Sequence, residues 1–421
     1  MAPTPERPVS TDPSRPEDQV TESSALRSST GRAAFLGAMF LMATSAIGPG
    51  FLTQTTAFTA QLGAAFAFAI LACVLLDIAI QMNVWRVVGV SGRRAQDLAN
   101  RALPGSGFLL AGLDVFGGLV FNIGNIAGCA LGLDAMFGID IRVGATISAG
   151  FAVAVFLVRK AGVAMDRVVV VLGVVMLALT TYVAITSSPP VGDALIQTVA
   201  PESVDFLVIT TLVGGTVGGY IVYAGAHRLV DNGIRGPENV PAITRSSISG
   251  IGITAVMRIV LFLAVLGVVT QGASLNPDNP TASAFEFALG TAGQVIFGAV
   301  IWCAAITSVI GASYTSTSFL KVFGAWVTHW ERWVVVGFIV VSTTIFVAVE
   351  TTPVNLLIFA GAFNGLILPV GLGLLLWVAA RRTDLMHGYK YPRWLVAIGA
   401  LAWVTTVYLG YMSLTELGQL F

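Results

Sequence analysis

The chain has 421 residues, is 56% hydrophobic and only 10% charged, and has a mean hydropathy of +0.85; this excludes a soluble globular domain of that length and identifies a multi-pass membrane protein. Its formal net charge of zero removes any electrostatic case for a nucleic-acid partner. The three cysteines, Cys73, Cys129 and Cys303, and the three histidines lack metal-ligand or disulfide spacing, so no zinc site, cofactor or disulfide framework is expected, and nothing suggests an enzyme.

Residues 1–32 are rich in Pro, Ser, Thr and charge, have no apolar h-region, and are expected to form a disordered cytoplasmic tail. Hydrophobic runs long enough to cross a bilayer then fall near 33–58, 62–85, 107–133, 142–158, 167–187, 206–229, 247–270, 292–319, 333–350, 353–380 and 394–415. They predict an all-α membrane protein with eleven transmembrane helices: a ten-helix transporter core over 33–380, then a cytoplasmic loop and an eleventh helix over 381–421.

Span 1 is interrupted by Gly48-Pro49-Gly50. Proline has no N–H to donate and disfavours helix at the residue before it, while glycine lets the backbone unwind. Unwound backbone at bilayer depth is tolerated only against protein or a water-filled cavity, so this break reads as one wall of a solute site. Span 6 carries Gly214, Gly215, Gly218 and Gly219 near its middle. Interrupted helices opening two successive sets of five predict a 5+5 inverted repeat, with the site between the breaks.

All but two of the 22 basic residues, Arg142 and Arg258, lie in the tail or in alternate loops on the tail's side. By the positive-inside rule the amino terminus is cytoplasmic and the carboxy terminus extracytoplasmic, in a plasma (inner) membrane. Asp77, Asp114 and Arg258 fall within spans, where an ionisable group should face the bundle or water; Arg258 is expected near one of the two acids, as a gate, a proton carrier or a static pair. Gln54 and Thr55 open the helix beyond the first break, and span 8 has a hydroxyl run that includes Thr307, Ser308, Ser313 and Ser316. Thr307 with Ser308, or Ser313 with Ser316, are candidates for binding a coupling Na⁺, against the common alternative that such hydroxyls bond their own backbone one turn back.

Several pieces in order carry a family resemblance: Gly48-Pro49-Gly50; Gln81 to Arg86 with Gly89, Gly92 and Asp97-Leu98-Ala99; Leu133 to Ile139; Gly215-Thr216-Val217 with Tyr223; Leu368-Pro369; and Arg382 to Met386. From about Ala33 onward the chain resembles the Nramp metal-ion transporters, which implies a leucine-transporter-like fold and proton-linked symport of divalent metal. The resemblance also shows departures. Where the family places a metal-binding Asp and Asn, this chain has Gly48 and Phe51; a thioether ligand falls at Gly218, a His at Tyr220 and a Gln at Ile367. The family's proton-moving Asp and Glu fall at Asn122 and Asn125, amides that carry no proton at neutral pH.

The expected substrate site therefore comprises Gly48, Gly50, Phe51, Gln54, Thr55, Gly215, Gly218, Tyr220 and Ile367. Asn122, Asn125, Thr307, Ser308, Asp77, Asp114 and Arg258 are the candidates for ion coupling. The expected function is secondary transport of a small solute, a metal ion by resemblance but a non-standard substrate by the lost ligands. Two alternatives stay open: a Na⁺- or H⁺-coupled importer of a small organic acid or amino-acid-like solute, for instance oxoproline, and a non-transporting membrane sensor. The partners are the lipid bilayer, the solute and the coupling ion.

Overall fold

The computed structural model describes residues 47–349 and 351–417, with side chains at all of these except 159–167, 169 and 415–417. The expected tail and the first half of span 1 lie outside the described residues.

Fifteen α-helices follow in chain order among the described residues: α1 Pro49–Leu62, α2 Phe66–Ser91, α3 Ala95–Ala102, α4 Ser106–Phe137, α5 Ile141–Leu157, α6 Arg159–Thr186, α7 Val191–Val199, α8 Phe206–Val217, α9 Tyr220–Asp231, α10 Val240–Thr270, α11 Pro280–Leu320, α12 Ala325–His329, α13 Glu331–Ala348, α14 Pro353–Arg381 and α15 Arg393–Leu417. Helices are what a bilayer demands, because each satisfies its own backbone within the segment. Their starts follow local chemistry. The Asp140 carboxylate accepts from the Arg142 and Val143 N–H groups at 3.0 and 3.1 Å, and Asp205 accepts from Val208 N–H at 2.9 Å. Pro49 and Pro353 stand at first-turn positions that need no donor.

By length and apolarity, eight helical stretches among the described residues can cross a membrane, or nine if the pair Val170–Thr186 and Val191–Val199, bent by 106°, counts as one. Eleven is not recovered this way. Helices α1 and α2 run on through a 3₁₀ turn at Gly63–Ala65, and α5 has 17 residues. Three short helices, α3, α7 and α12, were not expected from the sequence. Helix α11 is 41 residues long but is interrupted at Gly290 (φ 66°, ψ −165°), which separates an amino-terminal segment from the span proper.

The core forms where long helices cross. Helix α4 packs along α11 and against α14, and α8 packs on α14; α1 is enclosed by α10, α14, α11, α8 and α4. Enclosure leaves Phe51, Leu52, Gln54, Thr55 and Thr56 almost without exposure. Outward faces carry large apolar side chains such as Ile185, Val256, Leu401 and Tyr411, the surface that lipid covers. Trp326, Trp330, Trp333 and Trp394 are exposed beside the basic ends of α11, α13 and α15, the position of an interfacial aromatic belt.

Candidate functional site

At the start of α1, Gly48 is extended (φ −92°, ψ −176°) and caps the helix with no side-chain bond. Leu52 N–H reaches back to Gly48 O at 3.3 Å, and the Ser308 hydroxyl lies against Gly48. Gln54 then enters a slot between α8 and α14. Its Nε2 donates to Leu357 O at 2.8 Å, while Oε1 is buried without a partner. The slot exists because of glycines: a Cβ at Gly215 would sit 2.6 Å from Gln54 Oε1, and one at Gly361 2.5 Å from Nε2. Gly50 is buried beside the same amide. Thr55 donates to Phe51 O at 2.7 Å, so its hydroxyl serves its own helix.

The second break lies at Gly218 and Gly219, with Gly219 at φ 49°, a conformation that favours glycine. Gly214 and Gly215 stay helical; a Cβ at Gly214 would collide with Gly361 O, so this pair serves close helix approach. Trp85 Nε1 donates to Val222 O at 2.9 Å and pins the first turn of α9 to α2. Tyr220 opens α9, buried, with its ring edge-on to Phe121 at 5.6 Å and facing Asn125.

Asn364 on α14, which the sequence did not single out, sits directly over this break. Its Nδ2 donates to Ala360 O at 2.8 Å and Gly117 O at 3.1 Å, and Oδ1 is unpartnered against Gly219. Ile367 approaches Gly117 and Gly219 from the same helix. Asn122 donates through Nδ2 to Ser342 Oγ at 3.0 Å and Ser313 Oγ at 3.2 Å, joining α4 to α13 and α11. Asn125 is wholly buried, and apart from the Tyr220 phenol that faces it neither amide atom meets a hydrogen-bond partner. Four buried carboxamides, Gln54 on α1, Asn122 and Asn125 on α4 and Asn364 on α14, thus hold unmet hydrogen-bonding atoms in the interior of the bundle.

A cavity of about 220 Å³ leads toward this centre. Thr216, Tyr220, Thr307, Ser308, Thr254 and Asp77 are in its wall, and Arg94, His227, Arg228 and Asp231 mark the loop end. There Arg94 pairs with Asp231 at 3.3 Å, and His227 Nε2 accepts from Ala95 N–H at 3.1 Å, which fixes the start of α3. The Thr307 hydroxyl donates to Ala304 O at 2.9 Å, its own backbone, while Ser308 remains beside the break.

Next to the cavity wall, Cys73 Sγ lies 3.4 Å from Asp77 Oδ2 and 3.7 Å from Thr216 Oγ1, and accepts from Arg258 Nη1 at 3.2 Å. The Arg258 guanidinium stacks over the Phe51 ring at 4.3 Å. Arg258 therefore keeps company with Asp77 rather than Asp114, which lies near Tyr223. Neither acid forms an ion pair with it: the pairs among the described residues are Arg94–Asp231, Lys321–Glu331 and Arg382–Asp384, all in loops or at helix ends. Among the described residues no group of three or more His, Cys, Asp or Glu side chains is placed to hold a metal ion.

A family model described as natural resistance-associated macrophage protein-like, Nramp, matches residues 39–416. A Bacillus subtilis (strain 168) protein described as uncharacterized membrane protein YcsG is 53% identical over 386 residues, covering 91% of this chain and 95% of the relative. Among solved structures, a mutant of the Eremococcus coleocola manganese transporter superposes with a TM-score of 0.71 at 17% identity, over 96% of this chain and 89% of its own. The transporter MhsT in complex with L-phenylalanine gives a TM-score of 0.64 at 14% identity, over 91% of this chain and 98% of its own.

Proposed function

The chain belongs to the Nramp family and is a multi-pass membrane transporter with the leucine-transporter-like fold, and from that premise we propose that its cargo is a small polar organic solute rather than a divalent metal ion. The observation that carries this is a set of buried carboxamides, Gln54 in the first turns of α1, Asn364 over Gly219, Asn125 facing Tyr220 and Asn122 farther along the same helix α4, each with an unmet donor or acceptor. Stripping water from Mn²⁺ or Fe²⁺ requires carboxylates, imidazoles or sulfur to replace it. Neutral amides replace hydration poorly for a dication but match the hydrogen bonds of an organic acid or amino-acid-like solute.

The arrangement of basic loops supports an amino terminus in the cytoplasm, which makes the described cavity a cytoplasmic vestibule. Na⁺ coupling draws support from Ser308, whose hydroxyl faces Gly48, and less from Thr307, which is engaged with its own helix. H⁺ coupling through the α4 positions of Asn122 and Asn125 lacks a titrating group.

Thermal-shift measurement of the purified full chain tests the reading, because a ligand that binds the folded state raises the melting temperature by mass action. The panel is Mn²⁺, Mg²⁺, amino acids and short organic acids, oxoproline among them, each with and without Na⁺. Dose-dependent stabilisation by an organic solute is expected. Stabilisation by Mn²⁺ alone overturns the reading in favour of metal transport.

A further inference from the structure

We propose that Arg258 is the anion anchor of the transport site, so that the cargo carries a carboxylate held between the Arg258 guanidinium and the first turn of α1. This deepens the organic-solute reading and rests on it.

Arg258 is 2% exposed and among the largest fully buried side chains. A guanidinium is charged at every physiological pH and presents five N–H donors in a planar fork. One of its nitrogens, Nη1, donates to the Cys73 thiol, a weak acceptor; Nε and Nη2 have no acceptor. Burying a charge with donors unmet is tolerated where a partner arrives. Asp77, the nearest acid, does not supply one, since its Oδ2 faces Cys73 and no ion pair to Arg258 forms within 4.0 Å.

The guanidinium lies 4.3 Å over Phe51, within the first turn of α1. That turn is a second, independent electropositive feature. Its first N–H groups have no intrahelical acceptor, Gly48 offers no side-chain cap, and no acidic residue lies in the turn. A carboxylate here accepts a bidentate pair from Arg258 and is favoured by the positive end of the helix. Access is built in: Asp77, Thr216 and Thr254, one helical turn before Arg258 on α10, all face the cavity.

The test uses matched probes of nearly equal shape: propionate, lactate and N-acetylglycine against propionamide, lactamide and N-acetylglycinamide. Each is titrated onto the purified full chain and read by thermal shift. In the wild type the carboxylates stabilise and the amides do not. Arg258→Gln is expected to weaken carboxylate binding by at least about tenfold and to abolish the preference over amides. Arg258→Lys keeps the charge but loses the planar fork, and is expected to weaken carboxylate binding while a preference over the amides remains.

Retention of the carboxylate preference in Arg258→Gln, or an equal response of the wild type to both probe classes, overturns the anchor while leaving the organic-solute reading standing. If Arg258→Gln gives no folded protein, Arg258→Lys carries the test: carboxylate affinity unchanged from the wild type overturns the anchor. A wild type that answers to Mn²⁺ and to none of the organic probes fails the broader reading itself.

Discussion

Asn122 illustrates how much a single side chain near the site depends on partners from distant sequence. Its Nδ2 donates to Ser313 and Ser342, whose own hydroxyls donate onward to Val309 O and Phe338 O at 2.7 and 2.8 Å. Both hydroxyl protons are therefore committed, and each oxygen presents a lone pair to the amide. Asn122→Asp replaces the donor with oxygen and sets oxygens against oxygens. The expected cost is about 1–3 kcal/mol of stability at neutral pH, read as a lower melting temperature. A substitution that merely restored the family's acid without penalty would show that the seam is not built for an amide. Gln54 stood out in the sequence because it follows Gly48-Pro49-Gly50, and Asn122 and Asn125 because the family resemblance aligns them with its proton-moving acids. Asn364 was not: a lone amide in an apolar run has no pattern to mark it until the fold sets it over Gly219. The same holds for the Arg258–Cys73 contact, which joins residues 185 apart.

Among the elements, span 6 shows what glycine spacing can and cannot say. The sequence placed a break within Val213–Tyr220, and it occurs there, but only Gly218 and Gly219 break the helix. Gly214 and Gly215 instead admit α14 and Gln54, a distinction set by the neighbouring helix and invisible to local composition. Gly219→Ala should cost about 1–3 kcal/mol, since the residue must hold a left-handed φ and its Cβ would meet the Asn364 carboxamide. Gly214→Ala should cost a similar amount, about 1–3 kcal/mol, by forcing α8 from α14. Melting curves of both, beside the open Gly311→Ala as control, check the pair of claims. The short helices α3, α7 and α12 escaped the sequence because hydrophobic windows of bilayer length average over them. After α14, Arg382 ties this periphery together. It holds Asp384 through two bonds of 2.9 Å and donates to Arg101 O at the end of α3. Those bonds keep the Asp384 carboxyl below its ordinary range. A lowered carboxylate pKa contributes order that is present above the ordinary value and lost as pH falls through the folded one. Protection factors at residues 383–388, taken against the intrinsic exchange rate at each pH, should therefore fall only below about pH 4, and protection unchanged across that window would rule the tie out.

For the whole molecule, charge placement is the most legible property and the one on which the proposed orientation rests. The vestibule opens where Arg94, Arg228 and Asp231 cluster, the end of the bundle that the basic loops assign to the cytoplasm. The basic-loop alternation required only counting. The cavity itself required the relative placement of α2, α9, α10 and α11, which no local signal encodes. Gly311 offers a direct check on the direction of opening. It lines the cavity, is exposed, and has open space where a Cβ would stand, so Gly311→Cys perturbs nothing nearby. The three native cysteines are all buried and give little background. A membrane-impermeant maleimide should label Gly311→Cys in everted vesicles and spare it in right-side-out ones. The reverse pattern would invert the topology, turn the described cavity into an outward vestibule, and make its solute enter at the Arg94–Asp231 end from outside the cell. Because the carboxamide centre and Arg258 lie at or beyond the inner wall of that cavity, the labelling result also decides which side of the membrane the described conformation is poised to exchange with.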